Sequence, residues 1–382
     1  MKILFLTAQS FHPDARKAST HFLASGLLSL GHDIYVLTVG TSLARIAAAP
    51  HRSKGAFSYL SWKRDPDGLW KRVHFDLLHR PARERGIFSR ILSRLASSKL
   101  RKSALRQLGQ IDAVVIASGL AVTYYDFIRE TYPSARILYN AADALAGVGY
   151  SGPVLGAERR ALATADAVRT PSALLAKAFP PGTNWTLVPH GVDKAVLEKE
   201  WPSPYPDGSQ NAIMVGSTLL DWDALVAIAE AIPNINVHVF GIGPREGVPR
   251  NLLLHGEVAF AHLAPYMQHA SCALAPYKLD AQSAYIAESS LKIRQYRVCG
   301  LPIVCPDTLA IEGEDVFHYD PEALSSISTV LHAALARGQQ PYAKHLPTWS
   351  EVALDIEKLL GGSRLDNGRV EDPSIATAKG LR

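Results

Sequence analysis

Three short stretches of this 382-residue chain hold side chains that could do chemistry. The first is RILYNAADAL, residues 136–145. It runs an apolar strand-like segment into one carboxylate, Asp143, crowded by alanines, with Glu130 and Glu158 as the nearest acidic neighbours in sequence. A lone acid at a strand end is either a helix N-cap, accepting a backbone N–H, or a general base. The second is YIAESSLKIRQYRVCGLPIVCP, 285–306, a helical pattern before an apolar strand that carries Glu288, Ser289, Ser290, Lys292, Gln295 and Tyr296. Hydroxyls at a helix start, the helix dipole and a mobile lysine charge suit a nucleotide diphosphate. Glu288 and Lys292, four positions apart, also suit a solvated ion pair. The third is VGSTLLDWDAL, 215–225, with Gly216 and Ser217 at a strand end before a helix. It reads as a phosphate-binding turn or as a plain turn capped by Ser217 or Asp221.

Two other motifs carry less. GIGPREG (241–247) has the spacing G-x-G-x-x-x-G, with Pro244 following at once and no helical pattern behind it. A tight turn after a strand describes it better than a nicotinamide fingerprint. PHGVD (189–193) reads as a hinge, with His190 and Asp193 beside it. The cysteines (272, 299, 305) show no metal-ligand spacing and suit a reducing compartment.

Positioning these groups requires strands and helices in alternation, and the chain supplies them. Apolar runs at 2–8, 33–39, 112–117, 135–140 and 165–170 are separated by helical stretches, the first of them from Ala18 to Leu30. Near-continuous apolar strands alternating with helices imply a parallel sheet covered on both faces. The Pro- and Ser-rich segment 200–210 interrupts the pattern. Alternation then restarts with strands at 211–217, 236–241, 251–256, 272–277 and 301–306, and helices from Asp221, about Phe260 and about Tyr285. The expected fold class is α/β: two facing Rossmann-like domains over a cleft. The first spans 1–188; the second spans 189–362, its last helix free to pack back on the first; 363–382 form a disordered tail.

Net charge is +5, but residues 51–106 alone carry +11. Such a segment attracts polyanions or an anionic membrane leaflet. Within it, 86–108 has apolar residues at helical spacing with Arg and Lys between them, a membrane-surface candidate or an ordinary domain helix with a basic polar face. No apolar run approaches the ~18 residues of a membrane span, and the N-terminus reads as a first strand rather than a signal peptide. No nucleic-acid-binding motif accompanies the basic segment.

In order along the chain, ARKASTHF (15–22), IASGLAV (116–122), LYNAADAL (138–145), PHGVD (189–193), VGSTLLD (215–221), HGEV (255–258) and the block 275–306 resemble the xanthan-type (GumK-like) glucuronosyltransferase family. The resemblance covers roughly residues 1–345, and 275–306 is its most specific part. It implies the GT-B glycosyltransferase architecture and inverting, metal-independent transfer from UDP-glucuronate, with no cofactor. The implied acceptor is a polyprenyl-diphosphate-linked oligosaccharide at the cytoplasmic face of the inner membrane, in exopolysaccharide assembly, with the enzyme peripheral to that anionic surface. By resemblance Asp143 is the base. Gly216, Ser217, Thr218, Glu257, Tyr277, Glu288, Ser290, Leu291, Lys292 and Gln295 border the donor, with Lys292 on the diphosphate. His190, Asp193 and Asp221 lie at the cleft or hinge, and Arg16, Lys17 and His21 on the acceptor side. Thr218 and Leu291 stand where methionines are expected. Retaining enzymes of this fold carry glutamates where this chain has Ala287 and Gln295, which favours inversion. Three alternatives stay open: another donor such as UDP-glucose, a UDP-sugar 2-epimerase, and a non-catalytic nucleotide-sugar-binding protein.

Overall fold

The computed structural model describes residues 1–13, 17–42, 46–47, 56–76, 105–280, 283–342, 344–363 and 365. They form two compact units. The first runs from Met1 to His190 and includes a late helix, Trp349–Leu360; the second runs from Gly191 to Thr348. The change of unit therefore falls two residues beyond the sequence boundary at 188, and the last helix belongs to the first unit.

In the first unit, strands β1 (Lys2–Thr7), β2 (Asp33–Thr41), β3 (Lys63–Arg64), β4 (Trp70–Phe75), β5 (Ala113–Ala117), β6 (Arg136–Asn140), β7 (Ala167–Thr170) and β8 (Trp185–Leu187) make one sheet. Its order is β3-β4-β2-β1-β5-β6-β7-β8. Every pairing is parallel except the β3/β4 hairpin. Strands β1, β5 and β6 are almost entirely buried, as expected of strands covered on both faces. Helices α1 (Ser19–Ser29), α2 (Tyr125–Thr131) and α3 (Gly152–Thr164) follow β1, β5 and β6. The helix Trp349–Leu360 lies on α1: Phe22 and Trp349 stack at 5.3 Å between centroids, and Arg136 Nε donates to the Leu359 carbonyl at 2.8 Å. Gly26 makes that approach possible, because a Cβ there would come within 2.8 Å of the Ala353 Cβ.

In the second unit, β9 (Asn211–Val215), β10 (Asn236–Phe240), β11 (Leu252–Gly256), β12 (Cys272–Leu274), β13 (Ile303–Pro306) and β14 (Val316–Tyr319) form a parallel sheet. Its order is β11-β10-β9-β12-β13-β14. Its helices include α4 (Trp222–Ala231), α5 (Phe260–His269), α6 (Ile286–Ser289) and α7 (Leu291–Val298). Each sheet grows outward in both directions from an inner pair, β1/β5 and β9/β12. In open α/β sheets, the carboxyl ends of such a pair mark where ligands bind.

Two sequence expectations change here. The basic segment is not uniformly a surface: its residues 70–75 form β4, and Lys71 is buried with its ammonium 2.6 Å from both Asp65 and Asp67. Paired in this way, Lys71 adds nothing to an outward-facing basic face. The amphipathic stretch 86–108 lies outside the described residues except for its end, where Leu105 and Leu108 enter the core. The tail 363–382 likewise lies outside them, apart from Ser363 and Leu365.

Candidate active site

Several residues expected on the donor side lie at or just beyond the carboxyl edge of the second sheet. Gly216, Gly241 and Gly256 end or follow β9, β10 and β11 with φ of 90°, 96° and 72°. Gly216 N–H donates to the Phe240 carbonyl at 2.8 Å, and Gly241 N–H to the Gly256 carbonyl at 2.6 Å. A Cβ on Gly241 would sit 3.2 Å from the Gly216 Cα, so the turns after β9 and β10 touch backbone to backbone. GIGPREG is thus a strand-end turn, as its sequence suggests. Ser217 and Thr218 are exposed on the turn beside it, and Glu257 follows Gly256 into solvent.

The turn after β9 is longer than the sequence suggests. The helix begins only at Trp222, and its cap is Asp221, whose Oδ1 accepts from Ala224 N–H at 3.1 Å. Ser217 therefore does not cap it. Leu219 takes φ 51° in between, and the turn is held by backbone bonds from Lys278 N–H to Leu219 O (2.8 Å) and from Asp221 N–H to Pro276 O (2.9 Å). These bonds tie the post-β9 turn to Tyr277.

Tyr277 is the hub. It is buried, its hydroxyl shares a 2.8 Å hydrogen bond with Ser290 Oγ, and Lys292 Nζ stands 4.0 Å above its ring. Burial pushes the phenol well above its usual range, so it stays a neutral donor. A ring face under an ammonium holds the lysine head in place by cation–π attraction. Ser290 has extended backbone (φ −67°, ψ 111°) and accepts from Ile293 N–H, capping α7. This corrects the reading of one continuous helix. With Ser290 non-helical, Glu288 lies on α6 and Lys292 on α7, so the two do not share one helix. Glu288 is buried in α6, with its carbonyl receiving Arg294 NH2 at 3.4 Å. Leu291 and Gln295 are half-buried on α7. Tyr296, fully buried one residue on, donates to Leu274 O and accepts from Val215 N–H, fixing α7 against β9 and β12.

In the first unit, Asp143 lies three residues past β6, at the carboxyl edge of the sheet and next to β5. Ser118 Oγ, just beyond β5, is 3.5 Å from Asp143 Oδ2. Asp143 is exposed. It caps no helix: α3 starts nine residues later with Ser151 at its N-cap. What the sequence separates by fifteen positions, the fold brings close. Glu158 on α3 accepts a 2.9 Å hydrogen bond from Tyr139 Oη, and the charge on Asp143 reaches both residues. No sequence signal marks Glu158, because helix α3 folds back over β6 only in three dimensions.

The remaining candidates fall into structural roles. His21 is buried against Phe11 (4.0 Å between centroids), its Nδ1 accepting from Ala18 N–H and its Nε2 bonded to Ser10 O. Burial lowers it to about 4, so it is a neutral brace at the start of α1. Lys17 is exposed, with its ammonium over the Phe22 ring, and Arg16 lies outside the described residues. His190 is buried between Arg169, whose guanidinium is 3.2 Å from Nδ1, and Trp349. Arg169 also donates to Asn140 Oδ1 at 3.0 Å. His190 therefore closes the core of the first unit at its last residue. Asp193 heads the one-turn helix Lys194–Leu197 in the second.

Comparison with known proteins fits this arrangement. Residues 5–171 match the family model described as glucuronosyltransferase GumK, N-terminal domain. The UDP-glucuronate:glycolipid 2-beta-glucuronosyltransferase of Xanthomonas campestris pv. campestris is 31% identical over 253 residues, 66% of this chain and 63% of that protein. The alignment thus spans under two thirds of the relative's length. Among solved structures, a UDP-forming α,α-trehalose-phosphate synthase from Burkholderia xenovorans superposes with a TM-score of 0.57 at 10% identity, covering 95% of this chain and 97% of that one. A glycosyltransferase from Rickettsia africae gives 0.53 at 9% identity over 95% and 94%. These likenesses establish a fold of two Rossmann-like domains shared with GT-B glycosyltransferases. Over residues 5–171, the chain is similar to the N-terminal domain of GumK-type glucuronosyltransferases.

Proposed function

We propose that the protein is an inverting glycosyltransferase. It moves glucuronate from UDP-glucuronate to a lipid-linked oligosaccharide in bacterial exopolysaccharide assembly. The observation that carries this reading is the Tyr277–Ser290–Lys292 cluster beside the Gly216 turn, at the point of the sheet where nucleotides bind. The relative's printed activity supports the donor, and its glycolipid substrate supports a lipid-borne acceptor.

In the reaction, an acceptor hydroxyl oxygen attacks the anomeric carbon from the face opposite UDP. Its proton passes to Asp143, and the bond from the anomeric carbon to the diphosphate oxygen breaks, leaving UDP. Charge grows on the diphosphate as it leaves. In this reading Lys292, whose ammonium stands over the Tyr277 ring, and the N-terminal end of the α7 dipole meet that charge, and no metal ion or other cofactor is called for. Asp143 is exposed, as a base must be to reach a hydroxyl on a bulky acceptor.

We further assign a peripheral position at the anionic inner face of the membrane. No described helix is long and apolar enough to cross a membrane. The exposed Phe57 and Leu60 precede the exposed cations Lys63 and Arg64 of the edge strand β3, an apolar and basic segment suited to a charged interface. The test is transfer of labelled sugar from a panel of UDP-sugars to a lipid-linked acceptor, with a chelator present. The reading expects glucuronate transfer that survives the chelator. Preference for UDP-glucose, loss of rate with chelator, or conversion of the donor without acceptor would each overturn the corresponding part.

A further inference from the structure

The second unit holds a cavity at the edge of its sheet that the transfer does not use. Its volume is about 350 Å³. It lies at the amino edge, where α7 ends, β13 and β14 begin and the helix Ile327–Arg337 finishes. The candidate donor turns lie at the carboxyl edge. One helix joins the two places: Lys292 stands in the first turn of α7 and Arg297 in its last, and α7 is about 12 Å long at 1.5 Å per residue.

A buried guanidinium lines the cavity. Arg297 is 4% exposed; its Nε donates to Asp315 Oδ2 and its NH2 to the Glu312 carbonyl, both at 2.8 Å, and the Tyr342 ring centre is 4.8 Å from its Cζ. The remaining nitrogen, NH1, makes no hydrogen bond among the described residues. A charged donor taken out of bulk water and left without an acceptor is costly, so NH1 has a standing demand for one. Gly313 keeps this group uncovered, since a Cβ there would press on Asp315 Oδ1 and come within 3.3 Å of Arg297 NH2.

Charge and size narrow the ligand. Three cations (Arg297, Arg337, Lys344) face two acids (Glu314, Asp315), and Asp315 is already taken by Arg297. Two helices end here, and each C-terminus disfavours an anion by roughly two- to fivefold. One charge-assisted contact to a guanidinium is worth about 10- to 100-fold, so the cations outweigh the dipoles. The volume is at the lower end of ligand pockets, roughly 300–1,000 Å³, which suits a single sugar ring better than a bare ion. Gln340 adds an amide able to donate to and accept from hydroxyls. We propose that this cavity is a second ligand site, which binds a sugar-sized organic oxyanion, a sugar phosphate or a sugar acid, through Arg297 NH1, Arg337 and Lys344. It does not depend on the glycosyltransferase reading.

The test is titration of the full chain with glucose 1-phosphate, glucuronate, inorganic phosphate and glucose. UDP is kept saturating so that the donor site is filled, and the backbone amide shifts of Gly300 and Gly313 are followed in 1H–15N spectra. At least one of the two anionic sugars should shift both glycines saturably, and the one that binds more tightly identifies the oxyanion. Glucose should shift neither, and inorganic phosphate should bind more weakly than the sugar. Arg337→Gln should weaken the binding by about 10-fold or more and Lys344→Gln by severalfold, both with unchanged circular dichroism and UDP affinity. Lys292→Ala, titrated without UDP, should leave it unchanged, which separates this site from the donor site. The proposal is overturned by an absence of saturable shifts with both anionic sugars, by equal binding of glucose or of inorganic phosphate, by wild-type affinity in both Arg337→Gln and Lys344→Gln, or by loss of binding in Lys292→Ala.

Discussion

Glu158→Gln makes a prediction about stability, independent of any substrate. A carboxyl raised in the folded state binds its proton more tightly there than in the unfolded chain. Stability is then unaffected below the unfolded value of 4.5, falls as pH rises between 4.5 and about 7, and stays reduced above that. The shift, at about 1.4 kcal/mol per unit, corresponds to an upper figure of about 3 kcal/mol at pH 8, and under about 1 kcal/mol at pH 5. Residual wetting of Glu158 reduces the figure rather than raising it. The amide is isosteric, accepts the same hydrogen bond from Tyr139, and carries no charge at any pH. Glu158→Gln should therefore stabilise the first unit at pH 8 by up to that amount and leave it nearly unchanged at pH 4. Urea unfolding followed by far-UV circular dichroism measures this directly. With m of about 2 kcal/mol per molar, the midpoint of the first unit's transition should rise by up to about 1.5 M at pH 8. A difference between variant and wild type that is independent of pH, or that destabilises at pH 8, would refute the electrostatic reasoning.

Three further outcomes follow from the geometry. Lys292→Ala should weaken UDP binding, measured by calorimetry, by roughly 10- to 100-fold, the effect of losing one charge-assisted contact to the diphosphate; unchanged affinity would remove Lys292 from the site. Gly26→Ala should cost about 1–3 kcal/mol in urea unfolding, because its Cβ meets Ala353 at 2.8 Å and two helices must part. His21 is held neutral by burial, with its value lowered to about 4, so its contribution is present above about 6.5 and is lost as pH falls toward 4. Comparing wild type with His21→Gln across that range should show the stability difference shrinking as pH falls.

The framework of the fold was legible because the inner strands of both sheets are parallel and buried on both faces. Strands such as KILFLT and AVVIA are uninterrupted apolar runs that stand out without an alignment. Strand β4, WKRVHF, was not, because two adjacent cations, Lys71 and Arg72, interrupt it near the sheet edge and Lys71 is neutralised by Asp65 and Asp67 only after folding. The Ser290–Lys292 part of the candidate site was legible in composition, since serines, a lysine and a glutamine share one short stretch. The break at Ser290 was not, because serine is tolerated both inside a helix and as a cap, and the choice is made by Tyr277 bonding its hydroxyl. Asp143 could be singled out as the lone acid between Glu130 and Glu158. That Glu158 then approaches it depends on α3 crossing back over β6, a tertiary fact with no local signature.

The central claim is that Asp143 takes the acceptor's proton while the second unit binds the nucleotide on its own. Its most direct test is Asp143→Asn, assayed in parallel for UDP binding and for transfer of labelled glucuronate to a lipid-linked acceptor. The account predicts a loss of transfer of at least about 100-fold, the usual contribution of a positioned base, with UDP affinity unchanged. Near-normal transfer by Asp143→Asn would contradict it.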